Sequence, residues 1–251
     1  RLGDLAEEEL DAEHVRAWLV RSETQATGSV AVWIDHTGER SMVSGKGADH
    51  YLLPSELPRE RLQRAEIALL TGWSFFADPP REAAREAARI AKRGGARLAF
   101  DPASFQLIET VGVERFLSWT GDLGVDLLFP NYDEGRVLSG GETEPERIVA
   151  ALSERYPGAR VILKLDAKGV YVQPDGDGGG YVPAVESQLL DATGAGDAFV
   201  GAFLAWVLDG ATALDAARFA ASVSAWVIEH LGARPKPDAH LAERLTGGSA
   251  S

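Results

Sequence analysis

The chain has 251 residues, room for one large domain or two small ones, and its 45% apolar content supports a substantial core. A formal charge of −13, from 25 Lys and Arg against 38 Asp and Glu, is spread along the chain. That argues against a nucleic-acid partner, which needs clustered cations, but leaves room for a phosphorylated ligand held by backbone N–H groups and a metal. Cysteine is absent, so disulfides and Cys-based metal sites are excluded and a reducing cytoplasm fits. There is no uncharged apolar stretch near 18 residues and no signal-like start, so neither a membrane span nor export is expected.

After an acidic, helical-looking start, Gly28 to Asp35 alternates like a strand, His36 to Glu39 supplies a turn, and Arg40 to Val43 returns as a second arm. Ile67 to Gly72 reads as a short buried strand, Pro79 to Arg93 as a helix stopped by Gly94-Gly95, and Arg97 to Asp101 as another strand. A helical region over Phe105 to Trp119 leads to a strand at Val125 to Pro130. Helices at Tyr132 to Leu138 and Glu144 to Tyr156 precede a strand at Arg160 to Leu165. Gly169 to Gln173, a Gly/Asp turn over Pro174 to Gly180, and Tyr181-Val182 follow. The remainder is helical, over Gly196 to Leu208, Thr212 to Leu231 and Asp238 to Leu245, with 247–251 as a disordered tail. Strands alternating with helices predict a mainly parallel sheet covered on both faces, in one α/β domain over 1–246 with the 28–43 hairpin as an appendage.

The chemistry-bearing stretch is Asp191-Ala-Thr-Gly-Ala-Gly-Asp-Ala-Phe199. Glycines at 194 and 196 permit positive φ and close approach of a ligand, and the helix that follows offers N–H groups and a dipole to an anion. Asp197 stands beside that anion site, where a carboxylate can take a proton from an alcohol while a phosphoryl group is held. Taken alone, a Gly-x-Gly-Asp stretch is equally well a loop whose Asp neutralises a helix start. A dinucleotide-binding turn fits poorly, because the motif lies late in the chain and Gly201 falls out of register.

The wider stretch resembles the C-terminal signature of the ribokinase/PfkB carbohydrate kinase family. Asn131-Tyr-Asp-Glu134 resembles that family's Asn-x-x-Glu motif, and Val161 to Val172 its nucleotide-side strand and turn. Gly38-Glu-Arg40 and the spacing of these pieces agree, over about Thr27 to Pro235. The resemblance implies a three-layer α/β/α fold with a small β lid, and ATP-dependent phosphorylation of a small sugar or sugar acid. It implies Asp197 as general base, the amides of Gly194, Ala195, Gly196 and Asp197 as anion hole, and Asn131 and Glu134 as organisers of Mg²⁺ and its waters. Lys164, Asp166 and Gly169 fall on the nucleotide side, with adenine against Ala221 to Gly232. Asp166 departs from the family's usual glycine. Asp191 and Thr193 lie where monovalent-cation-activated members bind K⁺, and lid pairing in the family leaves room for a homodimer.

Other residues carry less. His14, His36, His50, His230 and His240 lack metal-ligand spacing. Trp33 reads as a lid, packed or dimer-facing residue, and Asp101, before Pro102, as a turn former by default or as a group that positions substrate or metal at a strand end where α/β sites gather. The family's opening strand, its substrate-binding Asp and its Gly-Gly motif find no counterpart in the sequence, so sugar specificity is illegible. Two alternatives stay open: a nucleoside kinase of the same family, and a non-catalytic relative that binds nucleotide or sugar.

Overall fold

In the computed structural model of the chain, the residues described are 2–34, 40–176 and 178–247. They form two compact units, one of residues 1–65 with 74–96, the other of 66–73 with 97–251.

The first unit holds helix α1 (Leu2–Ala12), strands β1 (Ser29–Ile34) and β2 (Arg40–Gly45), and helices α2 (Arg59–Gln63) and α3 (Pro80–Arg93). β1 and β2 pair antiparallel with Val32 opposite Met42, as the alternation predicts, although β2 runs two residues beyond Val43. The expected turn at His36 to Glu39 lies outside the described residues. In α3, Ala83, Ala84, Ala87, Ala88 and Ala91 form a buried stripe at helical spacing. A chain of alanines lets a neighbour approach closely, and α3 ends on Gly94, where an added Cβ would stand 2.1 Å from the carbonyl oxygen of Gln63.

The second unit is a six-stranded sheet in simple sequential order: β3 (Ile67–Thr71), β4 (Arg97–Asp101), β5 (Leu127–Leu128), β6 (Arg160–Lys164), β7 (Val170–Asp175) and β8 (Gly178–Val182). β3 to β6 run parallel and the last two strands antiparallel. Parallel strands need crossovers, supplied between β4 and β5 by α4 (Phe105–Val111) and α5 (Val113–Thr120), and between β5 and β6 by α6 (Tyr132–Leu138) and α7 (Pro145–Arg155). Helices α8 (Ala195–Leu208), α9 (Ala213–Val227) and α10 (Ala239–Gly247) follow the last strand.

Both faces of the sheet are covered. Phe100 stacks against Phe116 of α5 and lies by Tyr156 on one side, while its neighbour Ala99 joins Phe129, Ile162, Phe199 and Phe203 on the other. Leu98, Phe100, Val161, Ile162 and Leu163 have no exposed surface, which explains the unbroken apolar runs in β4 and β6. The α/β expectation therefore holds, in the three-layer form.

Four local departures have physical causes. The helix expected over Phe105 to Trp119 is two helices, broken at Gly112, whose φ is +90°. The strand expected at Val125 to Pro130 is short, yet ladder bonds run past it, since Asp126 N donates to Leu98 O and Phe129 N to Phe100 O. Pro130, lacking an N–H, closes it. The Gly/Asp stretch after Pro174 is not all turn: β8 begins at Gly178, because glycines there pair with β7 through an irregular register. Helix α9 stops at Val227, four residues before Leu231, and the chain turns through Gly232 at φ +88°. Among the described residues no helix is long and apolar enough to cross a membrane.

Phe203 has no exposed surface and meets Phe129 edge-on, with ring centres 5.1 Å apart. Phe203→Ala is expected to cost about 3–5 kcal/mol in urea unfolding, the penalty of an emptied aromatic core position. A loss under about 1 kcal/mol would show that α8 does not anchor the sheet.

Candidate functional site

The carboxyl ends of three parallel strands bring charged side chains together in the second unit. Asp101 ends β4, Asn131 follows β5, and Lys164 ends β6; Lys164 N donates to Pro130 O at 2.9 Å and pairs with Asn131 as an isolated bridge. The Lys164 ammonium donates to Asp101 Oδ2 at 2.6 Å, and the two side chains are 14% and 21% exposed. Asp101 Oδ1 accepts from Ala103 N at 3.0 Å, so the turn expected at Asp101 is present and the carboxylate also holds a cation.

Asn131 caps α6. Its Oδ1 accepts from Glu134 N at 2.8 Å, while its own N and Nδ2 donate to the two Glu134 carboxylate oxygens at 2.9 and 3.0 Å. The i, i+3 spacing thus brings the pair together as a reciprocal cap. Glu134 is 1% exposed, and burial pushes its carboxyl up to about 7. Lys164 and the Asn131 N–H pull it back down, whereas Asp101 and Asp133 add to the rise.

Beyond Lys164, residues Asp166 to Lys168 make a single 3₁₀ turn. Asp166 takes the left-handed conformation (φ +50°) that the substituted glycine would have favoured, and Asp is among the side chains that tolerate it. Gly169 at φ +99° cannot be replaced so easily, since a Cβ there would lie 2.1 Å from Val182 O. The Asp166 carboxyl is raised by desolvation and by Asp133, with Lys164 opposing.

The glycine-rich turn opens α8. Gly194 is left-handed (φ +81°), and a Cβ on it would sit 2.5 Å from Ala233 O. Asp191, 3% exposed, clamps the turn: its Oδ1 accepts from Thr193 N at 2.8 Å and Thr193 Oγ1 at 2.6 Å, and its Oδ2 from Gly232 N at 2.9 Å. Ser224 on α9 donates to Ala195 O at 2.9 Å, fixing the first residue of the helix. Gly196 and the exposed Asp197 occupy the next two positions, where a helix leaves N–H groups without intrahelical acceptors. Ala195 N is less available, since it donates to Ala192 O at 3.3 Å.

One distance links the turn to the strand ends. A Cβ built on Gly196 would lie 3.7 Å from Lys164 Nζ, the only neighbour within 4 Å from outside its own stretch of helix among the described residues. The space over Gly196 is therefore open and faces a cation, a cradle suited to a phosphate. The adjacency of Lys164 to both Asp101 and the turn was hidden in the sequence, because it depends on strand order. Among the described residues no three His, Cys, Asp or Glu side chains are grouped to hold a metal. His230 instead lies by Trp226 O and Asp238, and Trp33 is exposed on β1 in the first unit.

The fold is α/β, with a left-handed glycine turn that opens a helix beside a strand-end lysine. Residues 1–239 match the family model described as pfkB family carbohydrate kinase, and the chain belongs to that family, whose ribokinases and fructokinases are phosphotransferases with an alcohol acceptor. It is 28% identical to ribokinase of Haemophilus influenzae over 232 residues, covering 91% of this chain and 70% of that protein. It is 30% identical to fructokinase-1 of Oryza sativa subsp. japonica over 211 residues, covering 79% and 64%. Adenosine kinase from Sinorhizobium meliloti superposes with a TM-score of 0.87 at 23% identity, over 99% of this chain and 74% of that one. Aminoimidazole riboside kinase from Salmonella enterica, solved with aminoimidazole riboside and an ATP analog, gives 0.78 at 23% identity, over 97% and 82%.

Because folding raises the Glu134 carboxyl from 4.5 to about 7, the folded state holds a proton that the unfolded chain has already lost between those values. Its contribution to stability is therefore full below about 4.5 and is lost as pH rises through 7, on the order of 3 kcal/mol. In metal-free buffer, melting of the wild type is expected to fall between pH 5 and 8 by more than that of Glu134→Gln. Parallel pH profiles for the two proteins would show that Glu134 stays ionised throughout.

Proposed function

We propose that the chain carries an ATP-dependent kinase that moves the γ-phosphoryl group to a hydroxyl of a small sugar or sugar acid. The observation that carries this reading is the open cradle over Gly196, bounded by Lys164 and followed at once by Asp197. Residues 1–246 are read as one kinase domain with the 28–43 hairpin as its lid, in a cytoplasmic setting where ATP is at hand.

The roles follow from position. The acceptor hydroxyl gives its proton to the Asp197 carboxylate as its oxygen bonds to the γ-phosphorus, and the bond to the β–γ bridging oxygen breaks to leave ADP. The N–H groups of Gly194, Gly196 and Asp197, together with the helix dipole, take up negative charge on the phosphoryl oxygens, with Ala195 N a weaker member. Lys164 adds a fixed positive charge beside them, and Gly169 lets the nucleotide-side turn stay close to its neighbours. Asn131 and Glu134 would hold Mg²⁺ through water, since both Glu134 oxygens already receive Asn131 donors. When bound, the metal neutralises charge on the phosphates. K⁺ would be met by backbone carbonyls of 191–193, because the Asp191 carboxylate already accepts three hydrogen bonds.

ADP release is to be measured with ATP and Mg²⁺ over sugars, sugar acids and nucleosides, in K⁺ and in choline buffers. Turnover with one acceptor is expected to fall at least about 100-fold in Asp197→Asn while ATP still binds. Unchanged turnover in that variant removes Asp197 as base; a nucleoside as sole acceptor redirects the substrate reading.

The lid reading also predicts association. Val30, Val32, Trp33, Met42 and Val43 are exposed on the two faces of the β1–β2 hairpin, and a second copy would cover them. Sedimentation should give a homodimer that Trp33→Glu converts to monomer; a monomer at every concentration of the wild type counts against the pairing.

A further inference from the structure

We propose that Asp101 is a positioning residue that holds Lys164 at the γ-phosphate, so that the Asp101–Lys164 pair, and not Lys164 alone, tells a triphosphate from a diphosphate. This rests on reading the glycine-rich turn as the phosphate site.

Three features point to it. The Lys164 ammonium lies beside Gly196, within the turn next to Asp197, and so faces the group being transferred and not the base of a nucleotide. A lysine side chain is a flexible stem carrying a point charge, and it needs a partner to stay in one place. Asp101 is that partner: it lies on the second strand over, 63 residues earlier, and contacts Nζ at 2.6 Å. Asp101 is itself fixed, because its second oxygen accepts from Ala103 N at 3.0 Å, and Ala103 adopts a left-handed φ of +75°. The segment after β4 is also pressed against β3, where a Cβ on Gly72 would stand 2.0 Å from Pro102 O.

Both oxygens of Asp101 are thus engaged by donors, which sets it apart from Asp197. Asp197 is exposed at the start of α8, as a proton acceptor must be. Asp101 acts through Lys164. With the pair intact, two of the three ammonium protons remain for phosphate oxygens while the third is kept by the carboxylate.

Affinities for ATP and for ADP, both with Mg²⁺, are to be measured calorimetrically on the wild type, Lys164→Ala, Asp101→Ala, Asp101→Asn and the double alanine variant. The wild type should prefer ATP by about tenfold or more, as expected of one charge-assisted contact to the terminal phosphate. That preference should collapse toward unity in Lys164→Ala and shrink alike in both Asp101 variants. The double variant should be no worse than Lys164→Ala, because a residue that acts through another adds nothing once the other is gone.

Asp101→Asn keeps an acceptor for Ala103 N, so it separates the turn from the charge and carries the test should Asp101→Ala fold poorly. An Asn variant with the wild-type preference overturns the proposal, since Asp101 would then matter only as a turn. A rise in preference overturns it as well, because Asp101 would be competing with the phosphate for Lys164. Losses that add in the double variant, or a wild type that does not distinguish ATP from ADP, do the same. The expected pattern without turnover on any acceptor would support the pair and remove the kinase reading; turnover with a flat Lys164→Ala would do the reverse.

Discussion

The site depends on one backbone constraint, the left-handed turn at Gly194 pressed against Ala233. With a Cβ excluded by a carbonyl 2.5 Å away, only glycine lets the chain leave the 191–193 segment and enter α8 at this angle. The buried Asp191 carboxylate holds the two sides of that contact together by bonding Thr193 on one and Gly232 on the other. Everything downstream takes its place from this junction. Asp197 falls at the third position of the helix and is exposed, and Phe199 and Phe203 on the inner face tie α8 to the sheet. Core packing and the glycine-rich turn are two faces of one helix start.

A second dependence runs through Lys164. It pairs directly with Asp101, and its charge is felt by Glu134 and by Asp166. One ammonium is therefore shared among three carboxylates at neighbouring strand ends. Sharing explains why Glu134, buried and bonded by Asn131, is still pushed up to about 7: the single cation is already committed to Asp101, and desolvation outweighs what remains. A change at Lys164 is therefore felt at Asp101, Glu134 and Asp166, so substitutions that include it should not be additive with those at its partners.

Local pattern was legible in the sequence and long-range pairing was not. Alternation from Gly28, which matches the strand over Ser29–Ile34, the apolar runs at 97–101 and 160–165, and the Gly stops after 93 agree with their elements, because the physics behind each acts within a few residues. Strand ends were read less well. Leu127–Leu128 is short as a strand because Pro130 removes a donor, and β8 starts early because glycines that usually mark turns here pair across a hairpin. The Asn131-x-x-Glu134 spacing is visible as a motif, since its partners lie within three residues; the glycines of the 194 turn are visible too, but not the Ala233 contact that requires the first of them. Asp101 with Lys164, and Asp191 with Gly232, were invisible, since strand order and the packing of α9 bring together residues 63 and 41 positions apart.

Asp166 shows how backbone and charge can part company. The left-handed φ that glycine would supply is preserved, so the turn into Gly169 keeps its form. What changes is the field: a carboxylate now stands within reach of Asp133, which it repels, and of the Lys164 ammonium, which draws on it. On the proposed phosphate-binding reading, that added negative charge works against a bare triphosphate, and a helix dipole worth about half a charge offsets only part of it. The proposed phosphate site would therefore favour an anion that arrives with its charge already reduced. The buried cap of Asn131 and Glu134 favours the same conclusion, because its oxygens are filled by protein donors and suited to a hydrated cation carried in by the nucleotide. If the turn binds phosphate as proposed, the acidic strand ends would favour the metal complex over the free nucleotide, and the glycine turn would supply the neutral, directional part of the binding.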